Sequence, residues 1–134
     1  DERLDDLISW TIGLSLQHIN NFHILKRNLD SGIVDISIRG KTYIGVHGDF
    51  DPFGKAGVQN LCLAIGYIPY AVLYGHLHTC AFDEVNCVKM IRGGSLAGCG
   101  DQHTVEKRLT GKPSQMVCIC TDKGVQAFYP IELK

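Results

Sequence analysis

The sequence predicts a mixed α/β layered fold, formed as one unit over residues 1–134, and three observations carry that expectation. Strand-like segments outnumber helical ones along the chain. Two segments repeat apolar residues at three-and-four spacing, which sets two helices beside the strands. The run YAVLYG at 70–75 is apolar almost throughout, the pattern of a short strand covered on both faces.

Leu4, Leu7, Ile8, Ile12, Leu16 and Ile19 share one helical face, so an amphipathic helix is expected over about residues 3–19. Asp5 and Asp6 stand in its first turn, where the helix dipole favours acids. Trp10 lies beside the apolar stripe and reads as core packing. Asn20 and Asn21 end the helix, and FHIL at 22–25 reads as a short strand or an extended link. After the turn DSG, the alternation in IVDISIRG and the run TYIGVH predict a hairpin turning at RGK. Asp51 is placed to cap a second helix with Pro52 at its first position. Val58, Leu61, Cys62 and Ile65 form the apolar stripe of that helix, and Gly66 ends it. NCVKMIRGG, QMVCICT and VQAFYPIEL supply three further strands around a glycine-rich polar connection.

Composition bounds the partners. With 45% hydrophobic and 20% charged residues, 134 residues suffice for a real core. A net charge of -1 gives no whole-chain attraction to nucleic acid or anionic lipid, so phosphate binding must be local. No apolar run approaches the roughly 20 residues of a membrane helix and no secretory signal opens the chain; a cytoplasmic protein with no membrane partner is expected. The six cysteines sit mostly inside apolar segments with no CxxC pair, so free buried thiols are expected. Cys118 and Cys120 alternate onto one strand face.

Two apolar strands, TYIGVH and YAVLYG, end in glycine-flanked histidines: His47 before Gly48, and His76 and His78 after Gly75. Ligand sites of layered α/β sheets lie beyond strand ends, and imidazole is a common ligand of divalent transition metals. Alternate residues of an extended segment are about 6.5 to 7 Å apart, against about 3.5 to 4 Å between paired catalytic metals, so His76 and His78 can reach different ions. They can also share one ion, or hydrogen-bond within a tight turn.

GVHGD at 45–49, followed about thirty residues later by YGHLHT at 74–79, resembles the last two blocks of the calcineurin-like metallophosphoesterase family. The run IRGGSLAGCGDQHTVEKRLTGKPSQ that follows is similar to bacteriophage and prophage members. The resemblance implies the C-terminal half of a layered α/β/β/α sandwich, strand-rich with two main helices. It implies hydrolysis of phosphomonoesters or phosphodiesters by a hydroxide activated at a two-metal centre. His47 and His76 would ligate one metal and His78 the other, the ions being Mn, Fe, Zn or Ni. Phosphoesters are the implied substrates, nucleic acid among them. The family's first three blocks, including GNH, have no match here, and Asp101-Gln102-His103 spells DxH only on the wrong side of GHLH.

The chain is therefore expected to be the C-terminal part of one such domain, lacking the N-terminal part, and either to self-associate or to pair with that part. A non-catalytic remnant, or a metal-binding or interaction module of the same fold, is the competing reading. A structural zinc site using Cys80 with the histidines is a third. Asp49, Asp51 and Asp83 are candidates to orient the imidazoles, beside their ordinary role as loop-capping acids. His18 and His23 follow the first helix and need no functional account, and Arg92, Lys107, Arg108 and Lys112 form a basic set most simply read as solvated.

Overall fold

The structure, a computed structural model, describes residues 4–24, 32–98, 105–106 and 110–133. In chain order the elements are α1 (Leu4–Leu16), β1 (Ile33–Ile38), β2 (Lys41–Val46), α2 (Lys55–Ile65), β3 (Ala71–Tyr74), β4 (Ala81–Val85), β5 (Val88–Arg92), β6 (Ser114–Thr121) and β7 (Gly124–Glu132). Five strands form one sheet in the order β1-β2-β3-β5-β4, with β2, β3 and β5 parallel and the two outer strands antiparallel. β6 and β7 pair as a separate two-stranded sheet.

The three parallel strands are covered on both faces. Towards α2 they present Ile44, Val46, Val72, Tyr74, Val88 and Met90, which close on Val58 and Leu61. On the opposite face Tyr43, Ala71 and Ile91 meet Met116, Cys118 and Cys120 of β6. The period-2 alternation of each strand therefore sorts its side chains between two cores. Tyr70 ties the layers together, because its hydroxyl accepts a 2.8 Å hydrogen bond from Val125 N at the start of β7. Phe82 of β4 stacks on Phe128 of β7 with ring centroids 4.2 Å apart.

The hairpin of β1 and β2 forms as expected, turning through Arg39 and Gly40 with φ of 52° and 74°. Both values belong to a primed turn, whose twist matches that of the strands. The stripe of α2 is buried as its spacing predicts, and Gly66 closes the helix in the left-handed region at φ 78°. Its start differs from the Asp51 cap expected. Gly54 is the cap residue and Lys55 the first helical residue. The intervening segment folds back instead of entering the helix, with the Pro52 carbonyl packed on Gly57 where any side chain would collide.

Other expectations are also corrected. α1 ends at Leu16 rather than Ile19, and Trp10 is 62% exposed instead of lying in the core. Leu7, Ile8, Ile12 and Leu14 are exposed too, since no other described element covers that helix. The outer face of β6 and β7, with Val117, Ile119, Tyr129 and Ile131, is likewise uncovered, so this face and α1 do not pack on each other. Phe22 to Ile24 form no strand. AFDEV, too polar to be recognised, is β4, an edge strand, and polar side chains belong there. Cys62, Cys80, Cys118 and Cys120 are free and half-buried, while Cys87 is exposed in the turn between β4 and β5. No helix among the described residues is long and apolar enough to cross a membrane.

Leu61, 1% exposed between α2 and the sheet, and Trp10 make opposite predictions. Leu61→Ala is expected to cost about 2 to 5 kcal/mol in urea denaturation, and Trp10→Ala to stay within about 0.5 kcal/mol. The hydroxyls of Tyr43 and Tyr74 are buried without a hydrogen-bond partner of good geometry. Burial pushes the Tyr43 phenol up, helped by the Cys120 thiol beside it. Burial, then Asp51 and Cys62, push Tyr74 up to about 12. Both phenols stay neutral in the fold where the unfolded chain already ionises, at about pH 10. Their contribution is complete below that pH; that of Tyr74 is lost as pH rises through about 12, and that of Tyr43 higher still. The urea midpoint should therefore fall above about pH 10, and the double variant Tyr43→Phe, Tyr74→Phe should flatten that fall.

Candidate metal centre

The parallel register of β2 and β3 places the histidines. Val46 stands opposite Tyr74, so the next residues of each strand, His47 and Gly75, leave the sheet side by side. Gly75 N donates to His47 O at 3.0 Å, extending the ladder by one rung. The two chains touch here backbone to backbone. A Cβ on Gly75 would lie 3.2 Å from His47 O. Gly48, at φ 108°, turns the first loop away and would bring a Cβ to 3.5 Å from that of His76.

Beyond Gly75 the chain turns sharply, with Leu77 N donating to Gly75 O at 2.8 Å. His76 and His78 both sit in the left-handed region, at φ 64° and 56°. For a residue with a Cβ each such conformation costs about 1 to 2 kcal/mol, and glycine would relieve it. Two histidines one residue apart share this state, as Arg39, Asn86 and Cys87 do in the hairpin turns.

The turn brings His76 onto His47: their rings are 5.1 Å apart at 64°, and His76 Nδ1 lies 3.2 Å from His47 Nε2. As neutral rings they share a hydrogen bond, with the donor set by the tautomer. The separation also fits joint ligation, since two nitrogens at 2.0 to 2.1 Å from a tetrahedral ion are about 3.3 Å apart. His47 is exposed and His76 half-buried, so the pair opens to solvent on one side. His78 presents a different observation: its Nδ1 is buried with no hydrogen-bond partner. A buried ring nitrogen of this kind lacks the partner that such groups nearly always have, and a cation supplies one. The donor set is therefore suited to divalent transition metals, with His47 and His76 on one point and His78 apart from it. Among the described residues no group of three histidine, cysteine or acidic side chains converges.

The acids expected to orient the imidazoles are engaged elsewhere. Asp49 Oδ1 accepts from Phe50 N at 3.0 Å and Asp83 Oδ1 from Glu84 N at 2.8 Å, so both cap their own loops. Asp51 is half-buried beside Tyr74, and burial, with Asp49 adding, raises its carboxyl. Cys80 Sγ lies 3.8 Å from Ser114 Oγ, and among the described residues it joins no group of three metal-ligating side chains, so the structural zinc reading finds no support. His18 and His23 are exposed after α1. Lys112 pairs with Glu132 at 2.8 Å on the surface. Asp101, Gln102, His103, Lys107 and Arg108 lie outside the described residues.

Arg92 and Phe53 stand against the histidine loops and were not expected there. Arg92 donates from Nε to Thr79 O at 2.7 Å and from Nη2 to Thr79 Oγ1 at 2.9 Å. Its guanidinium carbon is 4.8 Å from the centroid of the Phe53 ring, and burial lowers its affinity for the proton. The sequence signal was the position of Arg92 at the end of an apolar strand, which sets it level with the histidine turn once β3 and β5 are known to be neighbours.

No protein-family model matches the chain, and no curated protein matches it. Solved structures do. A Thermotoga maritima protein determined by solution NMR superposes with a TM-score of 0.58 at 20% identity, covering 98% of this chain and 74% of its own. An archaeal phosphodiesterase superposes with a TM-score of 0.58 at 22% identity, over 92% of this chain and 61% of its own. Zinc-complexed Vps29 from Entamoeba histolytica gives 0.58 at 16% identity, over 88% and 72%. At such identities the likeness speaks for architecture, and the mixed sheet with its histidine-ended parallel strands has a metallophosphoesterase-type fold, shared with the archaeal phosphodiesterase and with Vps29.

Proposed function

We propose that the protein is a metal-dependent phosphoesterase whose centre is built on His47, His76 and His78. The observation that supports this most is the left-handed backbone at both His76 and His78, joined to the 3.2 Å approach of His76 to His47. His47 Nε2 and His76 Nδ1 would hold one divalent ion, and the buried, unpartnered Nδ1 of His78 supports its reading as the ligand of a second. A bound ion of this class, manganese, iron, zinc or nickel, supplies charge that polarises a phosphoryl oxygen and acidifies water. The chain's own part is to hold neutral imidazoles in fixed directions on strand ends and to leave His47 exposed on the substrate side. The fold's likeness to a phosphodiesterase favours the same reading.

Phosphomonoesters and phosphodiesters, nucleic acid included, form the substrate class. The bridging carboxylate and the GNH block that the family resemblance calls for have no match in the sequence. Calorimetric titration with manganese and zinc, beside hydrolysis of bis(p-nitrophenyl) phosphate, tests the assignment. His76→Ala and His78→Ala are expected each to weaken metal binding or hydrolysis at least about 100-fold. Binding and turnover unchanged by both substitutions would overturn it.

Self-association is proposed on a separate observation: Val117 is 43%, Ile119 49%, Tyr129 52% and Ile131 43% exposed on one face of β6 and β7. A contiguous apolar face of this kind marks an interaction surface. Light scattering should show species larger than 14.8 kDa, and a monomer across the concentration range would count against it.

A further inference from the structure

We propose that Arg92 is a positioning residue for the metal centre, a clamp that ties together the two loops carrying His47, His76 and His78. The proposal deepens the reading of those histidines as ligands and rests on it. Arg92 ends β5 directly opposite Tyr74 of β3, and Gly93 N donates to Tyr74 O at 2.9 Å, so its backbone is fixed level with the start of the histidine turn. Both side-chain hydrogen bonds, at 2.7 and 2.9 Å, end on Thr79, the residue after His78. The guanidinium carbon lies 4.8 Å from the ring centroid of Phe53, in the loop that His47 begins. Phe53 in turn rests edge-on against Tyr74, with ring centroids 5.3 Å apart.

The clamp therefore reaches both loops from a third strand. A forked, planar cation suits it, because the fork holds Thr79 at two points while the face packs on an aromatic ring. Among the described residues no carboxylate lies within ion-pair distance of Arg92, so its half-buried charge is spent on this contact. A turn with two histidines in the left-handed region relaxes unless its surroundings hold it. The paired bonds to Thr79 hold its far end, as Gly75 N to His47 O holds its start. Lysine keeps the charge and loses both the fork and the stacking face.

The test begins with metal-free protein. Backbone NH to Hα couplings and chemical shifts at His76 and His78 are measured by NMR in the wild type, in Arg92→Lys and in Thr79→Val, which removes only the Oγ1 acceptor. Both variants are expected to move these residues out of the left-handed region. Trp10→Ala, a change at an exposed position of α1 remote from the clamp, serves as the control and is expected to leave them in place. Titration with manganese and zinc should then show a loss of about 10- to 100-fold in affinity for Arg92→Lys. Unchanged couplings in both clamp variants overturn the proposal whatever the affinities. A wild type that binds no metal defeats the phosphoesterase reading while the couplings still decide the clamp. Wild-type binding that Arg92→Lys leaves intact overturns the positioning role and spares that reading.

Discussion

The structure depends on the parallel pairing of β2 and β3. Because Val46 and Tyr74 are in register, the two strands run out together, and the residues after them must either splay apart or continue in contact. They stay in contact, through the Gly75 N to His47 O bond and through glycines at 48 and 75 that let the backbones meet. Parallel strands cannot be joined by a tight turn, so α2 crosses between them and its packing sets how far each strand extends. Val58 and Leu61 on one side, with Met116 and Cys118 on the other, hold the sheet flat enough for the two ends to align. The geometry of the histidines is thus a consequence of core packing several residues away.

Both faces of this arrangement carry unsatisfied polar groups. On the side of β6, the Tyr70 hydroxyl is taken up by Val125 N, while the Tyr43 hydroxyl is buried without a partner. On the side of α2, Tyr74 leaves its hydroxyl unpaired beside Asp51 and Cys62. His78 leaves a buried nitrogen unpaired close by in sequence. Orphaned groups carry the desolvation penalty of about 1 to 3 kcal/mol each. Two of the three such groups among the described residues, Tyr74 and His78, lie at or just after the end of β3, beside the histidine turn.

Much of the fold was legible because its signals are local. Period-2 alternation gave the β1 and β2 hairpin, the apolar run gave β3, and the stripe Val58, Leu61, Cys62, Ile65 with Gly66 gave α2. What failed was tertiary. Asp51 and Pro52 have the chemistry of a helix start, yet the helix begins after Gly54 and Pro52 packs back onto Gly57. AFDEV was overlooked since an edge strand needs no apolar alternation, and Trp10 was misplaced since a stripe on a helix does not say what covers it. The histidines were legible by spacing, as strand ends with glycine neighbours. Their left-handed turn and the Arg92 clamp were not, because both depend on β5 lying next to β3.

A stability argument alone does not account for the turn. Two left-handed histidines cost together about 2 to 4 kcal/mol, a large part of the 5 to 15 kcal/mol that ordinarily separates folded from unfolded protein. Glycine at either position would remove that strain, and the neighbouring Gly75 demonstrates that the chain uses glycine freely where backbones must approach. The hydrogen bonds that hold the turn, from Leu77 N and from Arg92, are directed at backbone and at Thr79, so none of them requires an imidazole. The side chain of His76 adds only its contact with His47, and that of His78 leaves its buried Nδ1 without a partner. Strain at both positions, held by Leu77 N and Arg92, is a cost that the proposed ligand role of the two imidazoles would account for.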